Sequence, residues 1–168
     1  MPLLLVLVFF PAIMSKGIPA SKLVMIGCIF GAIGYGITFF AGDNMVILVI
    51  GAVFFSLAQM PIAYMSGLML MDCSEYNTHI GLKRLDGTVA AISSVGTKLG
   101  QGIGLGAQGI LLSLFGYASS SSTQSSSAIM GIRLLYSVIP AVLFILIFLL
   151  LTRYKLDKEL KVYRGEKA

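Results

Sequence analysis

Long apolar runs separated by short polar segments fill almost the whole chain. A helix needs about 20 mostly apolar residues to cross the hydrocarbon core of a bilayer. Four runs reach that length and predict membrane-spanning helices at 22–41, 45–70, 87–117 and 129–152. A fifth apolar run, at 1–14, is too short to cross alone and carries no signal-peptide features, so we expect it to be the end of a longer helix. The pattern predicts an all-α integral membrane protein.

Composition excludes the soluble classes of protein. Hydrophobic residues make up 57% of the 168 residues and charged residues only 11%, and the mean hydropathy is +0.94. A soluble domain of this length cannot bury so much apolar surface. A soluble enzyme, a disordered tail and a disulfide-stapled secreted module are therefore excluded. Cys28 and Cys73 lie within or at the end of apolar runs, and we interpret both as small hydrophobic residues.

The positions of the basic residues predict the topology. Lys16 and Lys22 flank the first connection between spans, and Lys83 and Arg84 lie in the third, whereas the second and fourth contain no Lys or Arg. Six of the 12 Lys and Arg residues lie in the tail at 153–168. Basic connections collect on the cytoplasmic side of membranes. This alternation predicts a multi-pass protein of the cell membrane with a cytoplasmic tail; lipid binding by that tail is an alternative role for its charge.

One charge lies well inside a predicted span. Lys98 belongs to the span at 87–117, and at 100° per residue Ser94, Gln101 and Gln108 fall within about 80° of it. A charge near the bilayer centre costs about 2.5–3.5 kcal/mol on insertion scales, so such residues usually face a cavity, a partner or a transport path. We interpret this polar stripe as part of a transport path; the alternative is a lysine whose ammonium reaches back to the membrane surface.

The span at 45–70 carries a weaker stripe of polar side chains. Ser56, Gln59 and Ser66 share one face of the predicted helix, with Tyr64 to the side. Hydroxyl and amide groups can donate to or accept from the hydroxyls of a sugar, but they also suit hydrogen bonds between helices.

Six glycines are concentrated in the span that contains Lys98, and small residues at four-residue spacing let helices approach closely. Close packing of another helix is the simpler interpretation, and a sliding surface for conformational change is compatible with it. The glycines are Gly96, Gly100, Gly102, Gly104, Gly106 and Gly109.

No group of residues has the pattern of a catalytic or metal centre. His79 is the only histidine and falls in a predicted loop, and nothing resembles a phosphate-binding glycine loop. We predict that the chain is not an enzyme and has no catalytic residue, metal site or bound cofactor.

Three motifs together point to a family. An acidic–x–x–acidic–Tyr motif occupies 72–76, a Gly–x–Lys–Arg loop occupies 81–84, and Lys98 follows 14 residues after Arg84. With these motifs, residues 71–116 resemble the glycoside–pentoside–hexuronide:cation symporters, the melibiose-carrier or sodium:galactoside symporter family of the major facilitator superfamily. The resemblance implies the C-terminal part of a twelve-helix bundle, from the end of span eight to span twelve and the tail.

The resemblance also implies a function and its residues. The carrier transports a glycoside, pentoside or hexuronide together with Na+ or H+ by alternating access, and the coupling cation binds in an N-terminal half that this sequence lacks. Lys98 and Ser94 are similar to the sugar-contacting pair of the family, and we add neighbouring polar side chains as substrate-binding candidates: Gln101, Gln59 and Tyr64. The charged residues that the resemblance places in the cytoplasmic gate are Asp72, Glu75 and Arg84.

Two alternatives come from other functional classes. A non-transporting membrane protein could use the glycine-rich helix for assembly or lipid contact. A membrane-embedded enzyme is less favoured, because such enzymes need clustered acidic, histidine or serine groups near the interface, and Asp72 and Glu75 alone are weak evidence for such a site.

Overall fold

A computed structural model describes residues 18–42, 44–121 and 123–165, and the predicted partial span at 1–14 lies outside these residues. The described chain is helical and contains no β-strand, as the apolar runs predicted. The helices in chain order are α1 Ala20–Phe40, α2 Met45–His79, α3 Asp86–Leu114, α4 Ser126–Arg133, a π-helical turn Leu134–Val138, α5 Ile139–Thr152 and α6 Leu156–Tyr163.

Among the described residues, three stretches are long and apolar enough to cross a membrane: Ala20–Phe40, Met45–His79 and Ser126–Tyr163. Helix α2 has 35 residues and therefore extends beyond the span predicted to end at residue 70. Helix α3 has 29 residues and is long enough to cross a membrane, but it is less hydrophobic than these three stretches and is not counted with them. Its membrane crossing stays a prediction.

Helices α1 and α2 form a close antiparallel hairpin. Asn44 begins α2, and its side-chain oxygen accepts hydrogen bonds from the backbone N–H groups of Val46 and Ile47. A Cβ atom added at Gly34 of α1 would lie 2.9 Å from the carbonyl oxygen of Gly51, so only glycine permits this approach of the two backbones.

The last predicted span forms one helix that is interrupted by a π-helical turn. Pro140 has no N–H to donate to the carbonyl of Tyr136, and the π-helical turn Leu134–Val138 immediately precedes it. Beyond this turn α5 packs against α1, where the ring of Phe144 lies over Gly31. Side chains from α1, α2 and α5 thus form the core, whose most buried members are Leu23, Val24, Cys28 and Met65.

The glycine-rich helix α3 packs differently from the expectation. It has no buried residue, and no described atom lies within 4 Å of a Cβ added at any of its six clustered glycines. Among the described residues, the predicted close packing is therefore absent from α3 and present between α1 and α2. The reason is that α3 contacts mainly its chain neighbours α2 and α4, which leaves most of its surface open.

Candidate functional site

Helix α3 presents the predicted polar stripe on an open face. Lys98, Ser94 and Gln101 are all exposed. The Ser94 hydroxyl donates to the carbonyl of Ala90 in its own helix, at 2.9 Å. Within the described part of the chain, the Lys98 ammonium and the Gln101 amide make no hydrogen bond or ion pair. The stripe therefore offers unused donors beside small glycine surfaces.

The candidates on α2 lie on the helix that precedes this stripe in the chain. Gln59 and Tyr64 are exposed on α2, and no hydrogen bond between described residues joins Gln59 to α3. Ser56 and Ser66 donate to carbonyls of their own helix, as polar side chains in apolar helices often do. The structure thus places the two stripes on neighbouring helices, with no hydrogen bond between Gln59 and Lys98.

Asp72 and Glu75 come together at the end of α2, around one arginine. The Nη2 atom of Arg164 lies 2.9 Å from Oδ1 of Asp72, and its Nε donates to Oε1 of Glu75 at 2.9 Å. A second contact joins Nη2 to the other carboxylate oxygen of Glu75. The hydrogen bond that Arg164 donates to Glu75, followed by the one it donates to Asp72, raises the pKa of Arg164, so its guanidinium is always charged.

Arg84, the arginine that the resemblance placed with these carboxylates, lies elsewhere. Its Nε donates to Oδ2 of Asp86 at 2.8 Å, and both side chains are largely exposed. The cause is local: the hydroxyl of the buried Ser74 accepts from the backbone N–H of Leu85 and sets the start of α3 beside the loop. The Ser74 hydroxyl and then Arg84 lower the pKa of Asp86. The expected contact of Arg84 with Asp72 and Glu75 is therefore absent here, and Arg164 takes that place.

The charged tail, for which the sequence predicted only a cytoplasmic position, makes specific contacts with the helix bundle. Residues three and four positions apart face the bundle from α6 and from the residue that follows it: Asp157, Leu160 and Arg164. Leu160 is 1% exposed. In the sequence, the spacing of an acidic, an apolar and a basic residue on one helical face could have predicted that this helix packs against the bundle. Nowhere in the described ranges do three or more His, Cys, Asp or Glu side chains cluster as a metal site.

The comparison with known proteins identifies the family. The sequence profile described as MFS/sugar transport protein matches residues 1–158. The chain belongs to this family. It is similar to the putative glycoside/cation symporter YagG of Escherichia coli (strain K12), with 35% identity over 89 residues, 53% of this chain and 19% of that protein. It is also similar to the isoprimeverose transporter of Lactiplantibacillus pentosus, with 37% identity over 98 residues, 56% of this chain and 20% of the transporter.

A third relative matches over more of the chain. The glucuronide carrier protein homolog of Escherichia coli (strain K12) is 27% identical over 139 residues, which is 82% of this chain and 30% of that protein. The chain thus spans about a fifth to a third of the length of these relatives. No solved structure matches it.

Family membership confirms several predictions from the sequence. The chain is a multi-pass α-helical membrane protein of the major facilitator superfamily, and its relatives include proteins named as glycoside/cation symporter and glucuronide carrier. The family is one of sugar transporters and not of enzymes. The alternatives of an assembly protein and of an embedded enzyme are not favoured.

Proposed function

We propose that this chain forms the C-terminal part of a carrier that moves a glycoside, pentoside or hexuronide across the cell membrane together with Na+ or H+. Membership of a sugar-transport family supports the substrate class, and the names of the relatives support coupling to a cation. The matches cover a minor share of those relatives, and the proposal assigns the coupling cation and the other half of the sugar site to the remainder of the carrier.

The observation that carries the proposal is the unpaired Lys98 on an exposed face of α3. Its ammonium supplies three donors, and Ser94 and Gln101 add a hydroxyl and an amide on the same side of the helix. A charge in a membrane span is costly unless a partner faces it. The partner is either the sugar or an acidic group of the remaining carrier. Gln59 and Tyr64 of α2 complete the substrate side from the neighbouring helix.

The proposed topology follows the basic residues. The spans are at 22–41, 45–70, 87–117 and 129–152, and the tail from residue 153 is cytoplasmic. The ends of α1 and α2 that carry Ser21 and Glu75 then lie at the cytoplasmic side. Asp72 and Glu75 belong to the cytoplasmic gate, and Arg84 contributes to it through its pair with Asp86 at the start of α3.

The test is sugar uptake by the full-length carrier with alanine at Lys98. We expect Lys98→Ala to reach the membrane and to lose cation-driven uptake, because the site loses its donors and leaves any acidic partner unpaired. Lys98→Arg should restore little uptake, since a planar guanidinium does not replace a compact ammonium. Lys155→Ala, which removes an exposed lysine outside the motifs, is the matched control and should transport normally.

Uptake at the wild-type rate by Lys98→Ala, with surface expression quantified alongside, would show that the sugar site lies elsewhere. A loss of uptake in both Lys98→Ala and Lys155→Ala would also count against the proposal, because it would point to a general effect of removing positive charge.

A further inference from the structure

A cavity separates the C-terminal part of α3 from the last span, which consists of α4, the π-helical turn and α5. Its volume is about 550 Å³, within the roughly 300–1,000 Å³ of small-molecule sites in proteins. Gly104, Gln108 and Leu112 line it from α3, where their four-residue spacing puts them on one face. Tyr117, which follows α3, and Tyr136 of the last span line it together with leucine and isoleucine side chains. The cavity therefore has the size and the mixed apolar and polar lining of a ligand site.

Three polar side chains of this cavity have unused hydrogen-bonding groups. In the part of the chain that the structure describes, the Gln108 amide and the hydroxyls of Tyr117 and Tyr136 make no hydrogen bond. Tyr136 lies ten residues after Ser126, the first residue of α4, which is about 15 Å along the helix. A polar group at such a depth in a membrane is costly unless a polar partner faces it. The cavity therefore needs an occupant that forms hydrogen bonds.

Tyr136 lies in the middle of the π-helical turn Leu134–Val138. Such turns are rare and occur frequently at functional sites. The rings of Tyr136 and Tyr35 of α1 meet edge to face, with their centroids 6.4 Å apart. Helix α1 thus supports the ring of Tyr136 where it lines the cavity.

The lining favours a neutral, polar ligand. None of the described residues that line the cavity is charged. A tyrosine side chain has an apolar body and a polar tip, and the Gln108 amide both donates and accepts hydrogen bonds. A sugar has the matching chemistry, with hydroxyls around its ring and apolar C–H faces. The acyl chain of a lipid would fill the apolar part but leave all three polar groups without a partner.

The cavity continues the polar stripe of α3. Gln108 lies ten residues after Lys98, about 15 Å further along the helix, and within about 80° of it around the helix axis. In the proposed topology this direction leads to the external connection at 118–128. A sugar that enters from outside would therefore meet Gln108 before Lys98.

We propose that this cavity is an outer subsite, formed by Gln108, Tyr117 and Tyr136, which binds a neutral sugar before it reaches Lys98. The amide and the two hydroxyls bind sugar hydroxyls, and the ring of Tyr136 packs on an apolar face of the sugar. The inference rests on the proposed function and topology for the identity of the ligand and the side from which it enters.

The first experiment measures uptake kinetics of the full-length carrier, with whichever radiolabelled glycoside, pentoside or hexuronide the wild type transports. Gln108→Ala should raise the KM for external sugar about three- to ten-fold, as expected for the loss of a hydrogen bond. Tyr136→Leu, which keeps an apolar side chain, should also raise the KM. Both should leave the maximal rate nearly unchanged, because the subsite acts before the sugar is moved. Ser113→Ala removes an exposed hydroxyl of α3 outside the cavity and should change neither value.

The second experiment measures binding without transport. Leu112→Cys in a cysteine-free full-length carrier is labelled in intact cells with an impermeant maleimide. The same sugars at one to four times their Kd should slow this labelling about two- to five-fold. The protection should persist when Lys98→Ala is added, because Lys98 is about 15 Å away, and should be largely lost when Gln108→Ala is added. Ile110→Cys, on the other side of α3 and 63% exposed in the wild type as isoleucine, is the control and should not be protected.

The outcomes separate the outer subsite from the transport proposal, with surface expression quantified for every variant. An unchanged KM in Gln108→Ala and Tyr136→Leu, or no protection of Leu112→Cys in a carrier that transports normally, would overturn the subsite and leave the proposed function standing. Protection that disappears with Lys98→Ala would also overturn it, because the sugar would then occupy one site at Lys98.

Two further results concern the ligand. Labelling of Leu112→Cys that ignores sugars but quickens when detergent removes phospholipid would show a lipid in the cavity and overturn the subsite. Protection by a sugar that the wild-type carrier does not transport would support the subsite and contradict the proposed function.

Discussion

Alanine at Gly51 tests the close approach of α1 and α2. A Cβ atom at this position would lie 2.7 Å from Oγ1 of Thr38 and 3.0 Å from the carbonyl oxygen of Gly34. The Thr38 hydroxyl donates to that same carbonyl at 2.6 Å, so it cannot turn away without losing a hydrogen bond. The two backbones must therefore move apart to admit even one methyl group.

The magnitude follows from two opposing effects. Overpacking a well-packed contact costs about 1–3 kcal/mol, while replacing glycine by alanine inside a helix recovers about 1 kcal/mol. Gly51→Ala should therefore lower the free energy of unfolding by about 0–2 kcal/mol. Gly67 lies on the same helix with nothing within 4 Å of an added Cβ. Gly67→Ala should therefore show only the gain in stability from replacing a helical glycine by alanine, so the free energies of unfolding of the two variants should differ by about 1–3 kcal/mol.

The assay is thermal unfolding of the full-length carrier in detergent, followed by the reaction of a thiol-reactive dye with Cys28, which is 1% exposed. Gly51→Ala should unfold at a lower temperature than Gly67→Ala. Adding Thr38→Ala to Gly51→Ala should recover part of the loss, because it removes the nearest atom. Equal shifts for Gly51→Ala and Gly67→Ala would refute the close packing at the hairpin.

Two further predictions concern a helix cap and the topology. Asn44→Ala removes the acceptor for two N–H groups at the start of α2 and should cost about 0.5–2 kcal/mol in the same unfolding assay; stability equal to that of the wild type would show that water satisfies this helix end. A cysteine at Ser120 should react with an impermeant maleimide in intact cells and a cysteine at Lys158 should not, because the connection at 118–128 is proposed to be external. The reverse pattern would invert the proposed orientation.

The sequence was most informative where the physics is local. Apolar runs of spanning length predicted α1 and the helix after Ser126, because an apolar segment in a membrane must form a helix to satisfy its own backbone hydrogen bonds. Lys98 could be identified as a candidate because one charge in an apolar helix is conspicuous. The glycine pattern was less informative: spacing alone marked α3, whereas Gly34 and Gly51 meet because two helices pack there, which one helix's spacing does not show.

Long-range contacts could not be predicted for the same reason. By charge alone, either Arg84 or Arg164 could pair with Asp72 and Glu75, but Asp86 lies two residues from Arg84 and pairs with it instead. Arg164 is separated from Glu75 by 89 residues. Its choice of partner depends on where Leu160 docks, which is a property of the packed helices.

The central claim is that this chain is part of a carrier that couples a sugar to a cation. The most direct measurement is uptake of radiolabelled glycoside, pentoside and hexuronide by vesicles containing the full-length carrier, with and without an imposed Na+ or H+ gradient. We expect at least one of these sugars to accumulate above its external concentration only when one of the gradients is present. Entry that never exceeds equilibrium, or that is the same with and without either gradient, would contradict the account.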